Sequence, residues 1–115
     1  MDLSGHGITK LPDYIKFNII GGSFGISKNK LTTLKGCPRI VFGDFFANFN
    51  ELTSLDYAPE RVDGATWINN NKLSEDIIEK YLILRSHEGN MSIRNIYFNN
   101  KSDNIDESFK KETIN

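Results

Sequence analysis

Apolar positions along this chain recur at a spacing of 21 residues. Leu31, Leu52 and Leu73 fall in one column, Leu34 and Leu55 in a second, Val41 and Val62 in a third. Phe24 stands over Phe45, and Ile26 over Ala47 and Ile68. Polar and turn positions keep the same step: Asn29, Asn50 and Asn71, then Pro38 and Pro59, then Gly43 and Gly64. Segments 23–43 and 44–64 therefore superimpose, and 65–73 opens a third copy. Residues 1–22 form an irregular first copy, two residues longer in its second half, with His6 at the asparagine position and Ile8 at the leucine position. A fixed period of this length marks a solenoid, in which each coil buries its apolar faces against its neighbours. Within each copy the alternation predicts a short strand, with positions 24 and 26, 45 and 47, and 66 and 68 turned inward. The leucine two residues past each asparagine turns in beneath that strand, and the later Leu and Val columns fill the back. Gly43 and Gly64 are expected to ease the chain into the strand or to accept positive φ. Pro38 and Pro59 are expected to fix an extended or turn backbone on the convex side.

The asparagine column has its own chemistry. An amide carries a donor and an acceptor, so inside a sharp turn it satisfies backbone groups that no strand reaches. Asn29, Asn50 and Asn71 are thus expected to form a scaffold ladder, not a ligand site.

Beyond Leu73 the period ends. Ser74 suits an N-cap, and Glu75 and Asp76 suit the positive end of a helix. Ile77, Ile78, Tyr81, Leu82 and Leu84 or Arg85 then recur at helical spacing, predicting a helix over about 75–86 whose apolar side closes the last coil. Residues 91–99 read as a strand. A rival pairing folds them back on 82–86 as a hairpin across 87–90. Either arrangement leaves a sheet edge able to recruit a second chain. Residues 100–115 are polar and poor in aliphatics, which predicts a mobile tail. The expected organisation is a solenoid over 1–73, a capping helix and strand over 74–99, and the tail.

The stretch Phe42-Gly-Asp-Phe-Phe-Ala-Asn-Phe-Asn-Glu-Leu52 fits the pattern L-x-x-L-x-L-x-x-N-x-L, with Phe42, Phe45 and Ala47 at aliphatic places and Asn50 and Leu52 matching directly. In the next copy Asp63 and Thr66 stand at apolar places, while Ile68, Asn71 and Leu73 fit. Residues 31–43 and 52–64 share the form L-T-x-L-x-x-x-P-x-x-V-x-G. Over residues 3–74 the chain resembles the leucine-rich repeat family, in particular the short repeat proteins of tailed bacteriophages and bacteria. The resemblance implies short parallel strands on a concave face, an irregular convex side and protein–protein binding as the common use.

Composition narrows the function classes. The 115 residues carry a net charge of −1, so no global attraction to nucleic acid or to an anionic membrane is expected. The single cysteine, Cys37, leaves no intrachain disulfide and no multi-cysteine zinc site. The first residues lack the basic-then-apolar form of a signal peptide, and no stretch has transmembrane length. The expected location is the cytoplasm, that of a bacterial host if the gene is phage-borne. The sequence contains no G-x-x-x-x-G-K-S/T or H-E-x-x-H, and Gly21-Gly22-Ser23-Phe24-Gly25 reads as the entry to a coil. The expectation is therefore no enzyme, no cofactor and no metal.

The candidate site lies on residues that the alternation turns outward: Asp44, Phe46 and Asn48, then Ala65, Trp67 and Asn69, beside Ser23, Gly25 and Ser27. Stacking sets Phe46 next to Trp67, with Gly25 opening a shallow hollow, and Phe49 extends the patch. Trp and Tyr are enriched at binding hot spots, and a contiguous apolar patch calls for a partner. The partner-binding set is Asp44, Phe46, Asn48, Phe49, Trp67 and Asn69. Two alternatives stand beside it: residues 91–115 fold over the aromatic pair, or the register slips by one and exchanges the two faces. The leading expectation is a protein-binding module, an inhibitor or modulator of a bacterial host protein such as a defence factor. The others are a self-associating assembly component, dimerising through the C-terminal segment, and a weak nucleic-acid binder using its aromatic groups.

Overall fold

The computed structural model describes residues 1–12, 18–88 and 95–98. Short strands are spaced by the 21-residue period: β1 (Ile19–Ile20), β2 (Phe24–Gly25), β3 (Ile40–Val41), β4 (Phe45–Phe46), β5 (Arg61–Val62) and β6 (Thr66–Trp67). One helix, α1 (Glu75–Glu88), and a last strand, β7 (Ile96–Tyr97), follow. All strand pairings among the described residues are parallel. They make two sheets, β1-β3-β5 and β2-β4-β6-β7.

The register repeats the sequence period. Phe24 pairs with Phe45 and Phe45 with Thr66, while Ile19 pairs with Ile40 and Ile40 with Arg61. Between β6 and β7 the step lengthens, Thr66 pairing with Ile96, because α1 intervenes. The inward row of the larger sheet, Phe24, Phe45, Thr66 and Ile96, is buried throughout, and the Phe24 and Phe45 rings stack at 6.3 Å. Ile26, Ala47 and Ile68 form the next inward row, and Leu31, Leu34, Leu52 and Leu55 fill the space toward Val41 and Val62. The inward and outward sets are those of the alternation read above, not of the slipped register. Each fully buried aliphatic or aromatic side chain contributes roughly 1.5–3 kcal/mol.

The asparagine ladder is present with repeating partners. Asn50 Oδ1 accepts from Leu31 N–H at 3.0 Å, while its Nδ2 donates to the carbonyls of Ile26 and Ala47 at 2.9 and 3.2 Å. Asn71 does the same with Leu52, Ala47 and Ile68, and Asn29 with Ile8, Leu3 and Ile26. The residue before each asparagine (Lys28, Phe49, Asn70) adopts φ of +55°, +58° and +56°. The left-handed residue makes the sharp turn and the amide fastens it. His6, at the asparagine position of the first copy, has an exposed side chain, and its N–H donates to Asn29 Oδ1 at 2.9 Å.

Several expectations change or narrow. The back of the molecule, expected to be irregular, carries its own sheet, because β-branched residues follow Pro38 and Pro59 and pair along the stack. Gly43 and Gly64 have no positive φ. They are glycines because the chains approach closely: a Cβ on Gly43 would lie 2.7 Å from Ser23 N, and one on Gly64 2.7 Å from Gly43 O. The helix continues to Glu88, and β7 runs parallel to β6, which removes the hairpin with 82–86. Within 91–99, β7 covers Ile96–Tyr97. Residues 91–94, 99 and the tail at 100–115 lie outside the described residues.

Capping follows the expected lines. Ser74 Oγ accepts from Ile77 N–H at 3.3 Å, with Glu75 and Asp76 in the first turn of α1. Tyr81 is buried, and Ile77 and Leu82 pack beside it against the core. Arg85, also buried, donates to Glu60 C=O at 2.8 Å and ties the helix to the copy at 44–64. No helix among the described residues is long and apolar enough to cross a membrane.

Candidate functional site

The outward row of the larger sheet gathers the aromatic side chains. Gly25, Phe46, Trp67 and Tyr97 are register partners across β2, β4, β6 and β7. Phe46 and Trp67 stack with centroids 6.3 Å apart and planes 14° from parallel, and Trp67 and Tyr97 stack at 3.9 Å and 10°. All three side chains are half-buried. Parallel strands set side chains at one register position roughly 4.8 Å apart, close to ring-stacking distance, so the backbone itself builds the row.

Sequence reasoning reached Phe46 and Trp67 and missed Tyr97. The helix breaks the 21-residue step, so no column points to residue 97. The usable signal was alternation alone: with Ile96 inward, Tyr97 must face outward.

The remaining candidates divide. Asp44 is tied into the scaffold: its Oδ1 accepts from Ala65 N–H at 2.8 Å, and its N–H donates to Ser23 Oγ at 3.0 Å. Phe49 stands at the left-handed turn past β4 and is 39% exposed. Asn48 is half-buried, and its Oδ1 meets no donor among the described residues. Asn69, expected on the open face, is 1% exposed. β7 lies against β6 on that side, with Ile68 N–H donating to Tyr97 C=O at 2.8 Å, so Asn69 is enclosed instead of sitting at a sheet edge.

Beside Phe46 a hollow of about 500 Å³ opens over Gly25 and is bordered by Asp2, Ser4, Ser27 and Lys28. Asp2 bridges to Gly25 and continues the outward row by one position. The Ser4 backbone N–H, at 2.9 Å, and then the Ser4 hydroxyl hold the Asp2 carboxyl below the usual carboxylate range. On the opposite side of the molecule, burial pushes the Cys37 thiol and the Tyr81 phenol up, away from their ionised forms. A half-buried thiol held in its neutral form, packed against the core, suits a packing role. Among the described residues no three His, Cys, Asp or Glu side chains gather as metal ligands.

Comparison with protein-family models, with characterised proteins and with solved structures returned no match. The functional reading therefore rests on the geometry of this surface.

Proposed function

We propose that the chain is a non-enzymatic binding module of leucine-rich-repeat type that grips another protein with the face carrying Phe46, Trp67 and Tyr97. The observation that carries the reading is the row itself: three large rings in register on the outer side of a sheet whose inner side already supplies the core. A soluble chain gains little from stacking rings outward unless something covers them, and aromatic residues dominate binding hot spots. The solenoid reading is supported by the constant 21-residue register in both sheets and by the asparagine ladder. The partner proposed is a bacterial host protein, such as a defence factor, that the module inhibits or modulates in the host cytoplasm. The support for that role is the resemblance of the repeat to those of phage and bacterial proteins.

The test is affinity capture from a bacterial lysate with tagged wild type beside the Phe46→Ala/Trp67→Ala double variant. The expected outcome is one protein retained by wild type only. Measured afterwards with the purified pair, each single substitution should weaken binding by at least about 30-fold, the effect of losing roughly 2 kcal/mol. A variant that stays folded and still retains the same protein removes this surface from the proposal.

A second reading, self-association, draws on β7, which ends the strand order of the larger sheet. Sedimentation at increasing concentration separates the two, since a monomer throughout leaves only the first. Nucleic-acid binding has less support. The net charge of −1 gives no general attraction for phosphates, which strand binding needs beside aromatic groups.

A further inference from the structure

Three turns carry the asparagine ladder, and in each the residue before the asparagine is left-handed: Lys28, Phe49 and Asn70, at φ of +55°, +58° and +56°. Asparagine visits this region readily and lysine is unbranched at Cβ, but a bulky aromatic residue there is an outlier. The ring adds little to the fold, since Phe49 is 39% exposed and is no part of the core cluster. The next copy makes the same turn with Asn70. Backbone strain kept for an exposed ring, where asparagine would serve, points to a use outside the fold.

The surroundings of that ring are basic. Lys28 N–H donates to Asn48 C=O at 3.0 Å and Phe49 N–H to Asn69 C=O at 3.1 Å, so the turns at 28–30, 49–51 and 70–72 lie rung on rung. Lys28 and Lys30 stand on the rung beside Phe49, and Lys72 stands on the rung beyond it. Glu51 accepts from Lys72 Nζ at 3.0 Å. Lys28 and Lys30 are exposed and make no ion pair among the described residues. Lys28 also borders the hollow beside Phe46, which joins this corner to the aromatic row. The carboxylate bordering that hollow, Asp2, has its Oδ1 engaged by Ser4 N–H.

From these observations, and resting on the reading of this face as the partner-binding one, we infer that the corner at Phe49 receives an acidic segment of the partner protein. An apolar side chain of that segment lies against the Phe49 ring, and flanking carboxylates meet Lys28 and Lys30. Charge complementarity sets the sign: two ammonium groups await anions, while Glu51 is held by Lys72. Two such groups suit a pair of carboxylates. They are few for a phosphate backbone, whose binding grows with every phosphate neutralised.

The test uses the full chain and a small probe, acetyl-Glu-Leu-Glu-amide, followed by two-dimensional amide NMR. Of two control peptides, Gln-Leu-Gln loses the charges and Glu-Gly-Glu loses the apolar group. A thymidine hexanucleotide tests the other class of anion. The expected result is saturable shifts at Lys28, Phe49 and Asn70 with the probe, at least about fivefold weaker with either control peptide. Raising salt from about 0.05 to 0.5 M should weaken the probe about threefold. The Lys28→Gln/Lys30→Gln variant should bind the probe no better than wild type binds Gln-Leu-Gln. Phe49→Asn should lose the response and, by relieving the turn, raise Tm by about 3 °C. A ring that merely supports the fold would lower Tm instead. Equal responses to the three peptides, no response to any, tighter binding of the hexanucleotide, or a Phe49→Asn chain that binds unchanged or melts lower overturns the assignment. Capture that still depends on Phe46 and Trp67 would then keep the face and remove only the acidic corner.

Discussion

Asn50 closes backbone groups from two neighbouring copies with one amide: the carbonyls of Ile26 and Ala47 and the N–H of Leu31. Truncation to alanine leaves the Leu31 N–H buried without a partner, at roughly 1–3 kcal/mol, while the Ile26 and Ala47 carbonyls keep the amides of Asn29 and Asn71. Asn50→Ala should therefore cost about 2 kcal/mol in urea unfolding, and Asn71→Ala less, because Asn71 is only half-buried. Equal, small losses at both positions would show the ladder to be ornamental. A second residue-scale case is Tyr57, which holds φ of +72° where the preceding copy has Gly36 at +101°. A left-handed tyrosine costs roughly 1–2 kcal/mol, and its ring is 62% exposed, so little packing is lost on removal. Allowing for glycine's extra chain entropy, Tyr57→Gly should stabilise the fold by up to about 1 kcal/mol, read as a rise in Tm. Cys37 supplies the third: with its thiol pushed up by burial, it should react with a disulfide reagent at pH 8 only as the chain is unfolded in urea.

At the scale of elements, the larger sheet was legible because its inward positions repeat at a constant step, which fixes both register and face. Phe46 and Trp67 could be paired from sequence for the same reason. The second sheet could not. Ile40 and Arg61 share a column but differ in character, and their pairing depends on how closely the copies stack, which no single copy states. Close stacking also explains Gly64, whose added Cβ would run into the Gly43 backbone and the Asp44 carboxylate. Gly64→Ala should destabilise by more than about 2 kcal/mol in the same urea titration, while Gly21→Ala, with open space around it, should be neutral. The end of the stack was half legible. Ser74 announces the helix, but the exposed Ile83 and Leu84 blur its faces, and the part-buried bond from Arg85 to Glu60 C=O leaves no mark in the pattern.

Considered whole, the molecule has one continuous core, from Leu11 through the leucine columns to Tyr81 and Ile96. Its ends differ: the first residues pair with β2 through Leu3 N–H and Gly25 C=O at 2.7 Å, whereas β7 adds to β6 across an inserted helix. Repeats that contact only their neighbours could unravel from one end. A stack this short has little to gain from doing so, because each copy lacks a core of its own. The single tryptophan, Trp67, reports on this directly, since it sits near one end between Phe46 and Tyr97. Leu31→Ala, at a fully buried position two copies away, should remove about 2–5 kcal/mol. If the molecule unfolds as one unit, that loss will move the Trp67 fluorescence midpoint and the far-ultraviolet circular dichroism midpoint by the same amount. Tyr97→Ala should act differently: it should alter native Trp67 emission by removing a ring 3.9 Å away, yet shift the midpoint far less, because Tyr97 is only half-buried. A fluorescence midpoint untouched by Leu31→Ala would mean that the Trp67 end melts independently. The aromatic row would then be ordered separately from the core that supports it, and the proposed binding face could not be treated as preorganised.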